Sequence, residues 1–114
     1  LSARGANIEF IVDVERAGPF GSGNPTPVFA FPAHKVKFAE VAGAAGHVKF
    51  VLTSGDGARL KSIAFRAANS PLGQALLNAG NDTPLHVAGN LSLDHYQGRA
   101  EPQLRVSDAA EIPR

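Results

Sequence analysis

From Gly18 to Phe29 the chain reads Gly-Pro-Phe-Gly-Ser-Gly-Asn-Pro-Thr-Pro-Val-Phe, and neither a helix nor a central strand can run through it. Pro19, Pro25 and Pro27 lack amide donors, while Gly18, Gly21 and Gly23 admit backbone angles that other residues resist. The segment is expected to be a stiff, irregular crossing, with Phe20 and Phe29 as apolar pegs. It divides the 114 residues into a lead-in with the crossing, residues 1–27, and one domain, residues 28–114, large enough for a single core.

Composition narrows the class. There is no cysteine, which excludes disulfides and thiolate metal sites and permits a reducing cytoplasm, the expected location. No apolar run approaches the ~20 residues of a membrane helix, so no membrane partner is expected. The chain starts at Leu1 and contains no methionine, which reads as a piece of a longer protein. Net charge is only +1, but it is unevenly spread. Between His34 and Arg66, six basic residues stand against Glu40 and Asp56, a balance of +4, and the remainder carries −3. A basic middle is a modest footprint for a polyanion; the same cations could also do no more than solvate exposed strand faces.

Residues 5–16 fit two patterns. Ile8, Phe10, Val12 and Val14 alternate like a strand, and Ile8, Ile11, Val12 and Glu15 fit a helical face. Residues 28–31 and 35–41 read as one long strand interrupted at Pro32. Residues 42–46 are a turn of small residues. Residues 47–53 form a strand with Val48, Phe50 and Leu52 on one face and His47, Lys49 and Val51 on the other. Asp56-Gly57 then marks a hairpin. Residues 60–66 form the third strand, with Ile63 and Phe65 expected on the core face and Ser62, Ala64 and Arg66 opposite. Leu60 has the wrong parity for Ile63, so a bulge is expected between them if both are buried.

Asn69 or Ser70 should cap a short helix with Pro71 in its first turn, Leu72, Leu76 and Leu77 as its apolar stripe, and Gly80 as its stop. A fourth strand carries Leu85, Val87, Leu91 and Leu93, bending at Gly89. Residues 94–102 are expected to be a polar loop, and residues 103–108 a fifth strand with Leu104 and Val106 inward and Gln103 and Arg105 outward. A mainly β chain with its helix between strands three and four of five is the arrangement of the OB-fold, a partly open Greek-key barrel. An SH3-like barrel or an open sandwich has similar strands, and short strands do not report their pairing.

Catalytic patterns are scarce. Ser22 has no triad frame, Gly21-Ser-Gly23 is followed by prolines where a dinucleotide-binding helix would start, and no phosphate-loop lysine is present. No histidine has metal-ligand spacing, and Asp94-His-Tyr96 reads as loop. Binding is the better prospect. OB-folds use the face of strands two and three and the loops joining strands one to two and four to five. That face would present His47, Lys49, Lys61 and Arg66, flanked by Lys35 and Lys37. The second loop carries Tyr96, Gln97 and Arg99, and strand five adds Gln103 and Arg105. Cations that follow phosphates and flat groups that stack bases are what single-stranded DNA asks for. Each has a plainer role: His47 in a turn hydrogen bond, Tyr96 packed back on the barrel, Arg105 paired with Asp108 or Glu101, Phe65 in the core.

The Gly18–Phe29 run resembles the signature that opens the C-terminal OB-fold part of RecJ, the single-strand-specific exonuclease of the DHH phosphoesterase superfamily. Gly46-His-Val-Lys-Phe50, Ile63-Ala-Phe65, Tyr96-Gln-Gly98 and Gln103-Leu-x-Val-x-Asp108 are similar to that family in order and spacing. Thr26 departs from it, standing where the family often has glutamate. The resemblance implies a helix over residues 5–16. It also implies that the catalytic motifs, with their Mn or Mg, belong to upstream domains. This chain would then hold no cofactor and hydrolyse nothing alone. Its partners would be single-stranded DNA, those upstream domains and a single-strand-binding protein, in recombination and repair. The alternative is an interdomain brace or protein-docking module with little DNA affinity.

Overall fold

A computed structural model describes residues 1–17, 27–80 and 82–112. Most of the proline-glycine crossing, with its Phe20 peg, lies outside the described residues.

The ambiguous lead-in is a helix, α1 (Ile8–Arg16). Asn7 caps it, its side-chain oxygen accepting from the Phe10 amide at 2.9 Å, and this satisfies one of the first-turn donors that a helix leaves unpaired. Ile11 is fully buried, and Phe10 meets Phe29 edge-on with ring centroids 5.4 Å apart. Buried Ala3 and Ala6 precede the helix, and the Ala3 amide donates to Nε2 of buried His34 at 3.1 Å. His34 Nδ1–H donates in turn to the Pro32 carbonyl at 2.9 Å, so the ring ties the lead-in to the first strand as a neutral tautomer.

Five strands follow: β1 (Phe29–Ala42), β2 (His47–Thr53), β3 (Arg59–Ala64), β4 (Pro84–Tyr96) and β5 (Arg99–Glu111), with α2 (Pro71–Asn78) between the third and fourth. They close into a barrel in the order β1-β2-β3-β5-β4, with β3 and β5 parallel and every other pair antiparallel. This is the OB architecture. Register puts Val36 opposite Leu52 and Leu52 opposite Leu60, then Phe50 opposite Ser62 and Ser62 opposite Leu104. All are buried, and they form the inner rows of the core. α2 is capped by Ser70, starts at Pro71, and inserts Leu76 into the same core.

β1 is interrupted near Pro32, as its missing amide requires, and its register against β4 shifts between Phe31 and His34. A second irregularity lies between Lys37 and Glu40, where Phe38 has φ of 58°. At Gly89 the register of β4 on β5 also shifts; a Cβ there would stand 2.1 Å from the Arg105 carbonyl oxygen, so only glycine fits this close approach.

Two expectations are corrected. The β2–β3 ladder runs without a bulge, with Leu60, Ser62 and Ala64 inward. Ile63 and Phe65 therefore lie on the outer face, where Ile63 is still buried but Phe65 is 51% exposed rather than a core residue. The Val48–Phe50–Leu52 face of β2 dictates this, because each of its members needs an inward partner across the hairpin. Residues 94–102 are not a loop either. β4 and β5 stay paired to Tyr96 and Arg99 around a two-residue turn, Gln97-Gly98, with φ of 51° and 77°. Positive φ at both turn residues is what a tight hairpin of the I′ kind needs, and it lets polar residues continue the ladder.

Candidate nucleic-acid interface

Directly opposed residues in a ladder point to the same face, so register also defines the outer rows. One row runs Lys37, Val51, Lys61, Gln103 across β1, β2, β3 and β5. The next runs Glu40, Lys49, Ile63, Arg105. Six of the nine residues singled out in sequence thus share the outer face of the sheet: Lys37, His47, Lys49, Lys61, Gln103 and Arg105. Tyr96 and Arg99 face each other beside the turn of the β4–β5 hairpin. Arg66 lies just past the end of β3 at φ of 53°, exposed, outside both rows.

Between β1 and the hairpin the outer face sinks into a groove of about 490 Å³. Phe38 and Glu40 form one wall and Asp94 and Tyr96 the other, with Lys49, Val51, Lys61 and Gln103 between them. Phe38 and Tyr96 are 69% and 58% exposed, so both rings are presented to solvent. The Lys61 ammonium donates to the Glu101 carboxylate and lies 5.9 Å from the Tyr96 ring centroid. The hydrogen bond to Glu101, aided by the charges of Glu101 and Asp94, raises the Lys61 pKa above the ordinary lysine value. Lys61 is therefore a full cation at neutral pH, but one already shared with a carboxylate.

A second aromatic station lies farther along β3. Phe65 and His47 meet edge-to-face with ring centroids 5.1 Å apart, and the Arg105 guanidinium stands 5.3 Å from the Phe65 centroid. His47 Nδ1 accepts the Arg66 amide at 2.9 Å, which fixes the imidazole beside the ring. Arg105 thus lies over an aromatic ring, while Glu101 pairs with Lys61. A flat cation over a flat ring is a surface on which a base can stack.

Sequence reasoning missed both phenylalanines. Phe38 shares parity with buried Val36, and only the irregular backbone at Phe38 turns it outward; no glycine marks that position. Phe65 was within reach, since the small Ser62 and Ala64 have the parity that pairs with Phe50 and Val48. Arg59, at the start of β3, was likewise left out of the candidate set.

The family model for the RecJ OB domain matches residues 1–108. The chain belongs to the RecJ OB-domain family. That family is an OB domain, not a catalytic one, and its match takes in α1 as well as the barrel. Among solved structures, the small single-stranded DNA-binding protein from Streptomyces coelicolor is similar, with a TM-score of 0.56 at 13% identity. The likeness covers 76% of this RecJ OB domain and 94% of that chain, and it shows a shared fold. A comparison with curated protein sequences finds no match. Among the described residues no helix is long and apolar enough to cross a membrane, and no group of three His, Cys, Asp or Glu is placed to hold a metal ion.

Proposed function

We propose that this RecJ OB domain binds single-stranded DNA and grips the strand for the catalytic core of a RecJ-type 5′-to-3′ exonuclease in recombination and repair. The observation that carries this reading is the groove walled by Phe38 and Tyr96 with Lys49 and Lys61 between them. Exposed rings beside cations suit unpaired bases, which offer π-faces that a duplex conceals. The similar Streptomyces coelicolor protein, named for single-stranded DNA binding, supports the same ligand. In this reading the upstream domains supply the Mn or Mg and the hydrolysis in the cytoplasm, and a single-strand-binding protein is a further partner.

The test is a titration of a labelled thymidine oligonucleotide and a matched duplex, followed by fluorescence anisotropy at low and moderate salt. Preference for the single strand and loss of affinity with salt are expected. Replacing Phe38 and Tyr96 together by alanine should weaken binding by about 1–3 kcal/mol for each base that stacks. Absence of binding at low salt, or binding indifferent to salt, overturns the reading.

A brace or docking role is favoured by a different observation. Ile8, at the start of α1, and Val28, just before β1, are exposed apolar residues outside the groove. Unchanged DNA affinity in the whole enzyme when Phe38, Lys49, Lys61 and Tyr96 are replaced together, with folding intact, would favour it.

A further inference from the structure

The groove is not where the charge surplus lies. Lys49 and Lys61 line it together with Glu40 and Asp94, and Glu101 holds the Lys61 ammonium. Two lysines set against three carboxylates leave little net attraction for a polyanion.

Next to it is a second concavity of about 260 Å³, formed by β1 and the β2–β3 turn. Lys35, Lys37 and Arg59 line it, and among the described residues no carboxylate does. Register explains the gathering. Lys35 is opposite Thr53 and Thr53 opposite Arg59, which places Lys35 and Arg59 about 10 Å apart on one face, two inter-strand spacings. Lys37 follows Lys35 on the same face. Ala33, Thr53, Ser54 and the two glycines Gly55 and Gly57 complete the wall, and a Cβ added at either glycine would meet nothing within 4 Å. Asp56, in the same turn, does not line the concavity; its carboxylate takes the Ser54 hydroxyl, the Ala58 amide and Arg4. Among the described residues Lys35 has one ion-pair partner, Asp82 at 3.8 Å, whose side chain is almost fully exposed, a pairing worth little. Lys37 and Arg59 have no ion-pair partner among the described residues.

We infer that this cup of Lys35, Lys37 and Arg59 is the phosphate anchor of the domain, and that the groove beside it takes the bases. The inference rests on the single-stranded DNA reading and adds a division of labour to it. The two concavities are contiguous, since Lys37 of the cup is directly opposite Val51 of the groove. A strand whose bases enter between Phe38 and Tyr96 reaches the cup as it passes Val51. The chemistry recognised is a phosphate oxyanion, which a phosphodiester and a free phosphate both offer.

Salt dependence of oligonucleotide binding by the 114-residue chain separates the parts. Each phosphate contact on a single strand contributes about −0.7 to the slope of log K against log salt. Lys35→Gln, Lys37→Gln and Arg59→Gln together should flatten that slope by about 2. Lys49→Gln with Lys61→Gln should flatten it by less than half as much. A charge-keeping triple, Lys35→Arg, Lys37→Arg and Arg59→Lys, should keep the slope, and thermal melts of all three verify folding. A groove pair that flattens the slope more than the cup triple overturns the anchor. A titration with inorganic phosphate, read by amide shifts at residues 53–59, separates the ligand sources. If the cup triple loses that response while oligonucleotide binding is unchanged, the cup is a free-anion site and the anchor is overturned. If the unaltered chain binds no oligonucleotide at low salt, the DNA reading itself fails, a result distinct from either.

Discussion

Gly73 sits inside α2, where alanine ordinarily gains about 1 kcal/mol of helix propensity over glycine. Here a Cβ would stand 1.7 Å from the Ala67 carbonyl oxygen and 2.4 Å from its carbon. That carbonyl accepts the Ser70 hydroxyl at 2.7 Å, so the clash falls on the helix cap itself. Gly73→Ala is therefore expected to destabilise by about 1–3 kcal/mol in urea unfolding, against the propensity scale. Phe38 is the opposite case, a bulky residue held at φ of 58° with its ring in solvent. The left-handed region costs a residue with a Cβ about 1–2 kcal/mol, and glycine's extra freedom when unfolded offsets about half of that. Phe38→Gly should leave stability unchanged or up to about 1 kcal/mol higher, while oligonucleotide affinity falls by about 1–3 kcal/mol. A variant that loses stability and affinity together would make Phe38 a packing residue instead. Such positions are hard to read from sequence, because alternation assigns Phe38 to the core with Val36 and only the ladder irregularity reverses it.

At the scale of elements, turns were legible wherever one residue type carries the geometry. Asp56-Gly57 announces the β2–β3 hairpin, and Ser70-Pro71 announces the start of α2. Less was legible where polarity conceals pairing. Residues 94–102 read as loop because Asp94, His95, Glu101 and their neighbours lack an apolar face, yet backbone hydrogen bonds and the Gln97-Gly98 turn keep the ribbon extended. The β2–β3 turn also receives the lead-in, through Arg4 on Asp56. The Ser54 hydroxyl first, then Arg4 and the Ala58 amide, hold the Asp56 carboxyl far below the usual carboxylate range. A pKa depressed in the folded state gives stability that is fully present above the unfolded value, about 4, and is lost as pH falls through the folded value. Asp56→Asn should therefore melt below the unaltered chain at pH 6, and the gap should close progressively as pH is lowered beneath about 4. A gap that stays constant from pH 6 to the acid limit would show that the carboxylate charge contributes nothing to the turn.

For the molecule as a whole, the helix between the third and fourth strands pointed to the barrel, but strand order and closure were not readable. The parallel contact of β3 with β5 and the closing contact of β1 with β4 join segments far apart in sequence, and each depends on packing the same core. That core does not begin at the barrel. Ala3, Ala6 and Ile11 belong to the same buried cluster as Phe31, Leu52 and Leu104, and His34 holds the lead-in to β1. One helix thus carries two isoleucines with opposite expectations. Ile11 is 1% exposed, so Ile11→Ala removes packed volume and should cost about 2–5 kcal/mol. Ile8, three residues earlier, is 44% exposed, and Ile8→Ala should stay within about 0.5 kcal/mol. Chemical unfolding of both variants tests whether α1 is an integral part of the folded unit. Equal, small effects would mean that α1 is a tether lying against a barrel stable without it. A large effect confined to Ile11, with one cooperative transition, would mean that lead-in and barrel fold as a single unit, so that a chain trimmed to start at Pro27 should lose that cooperative transition.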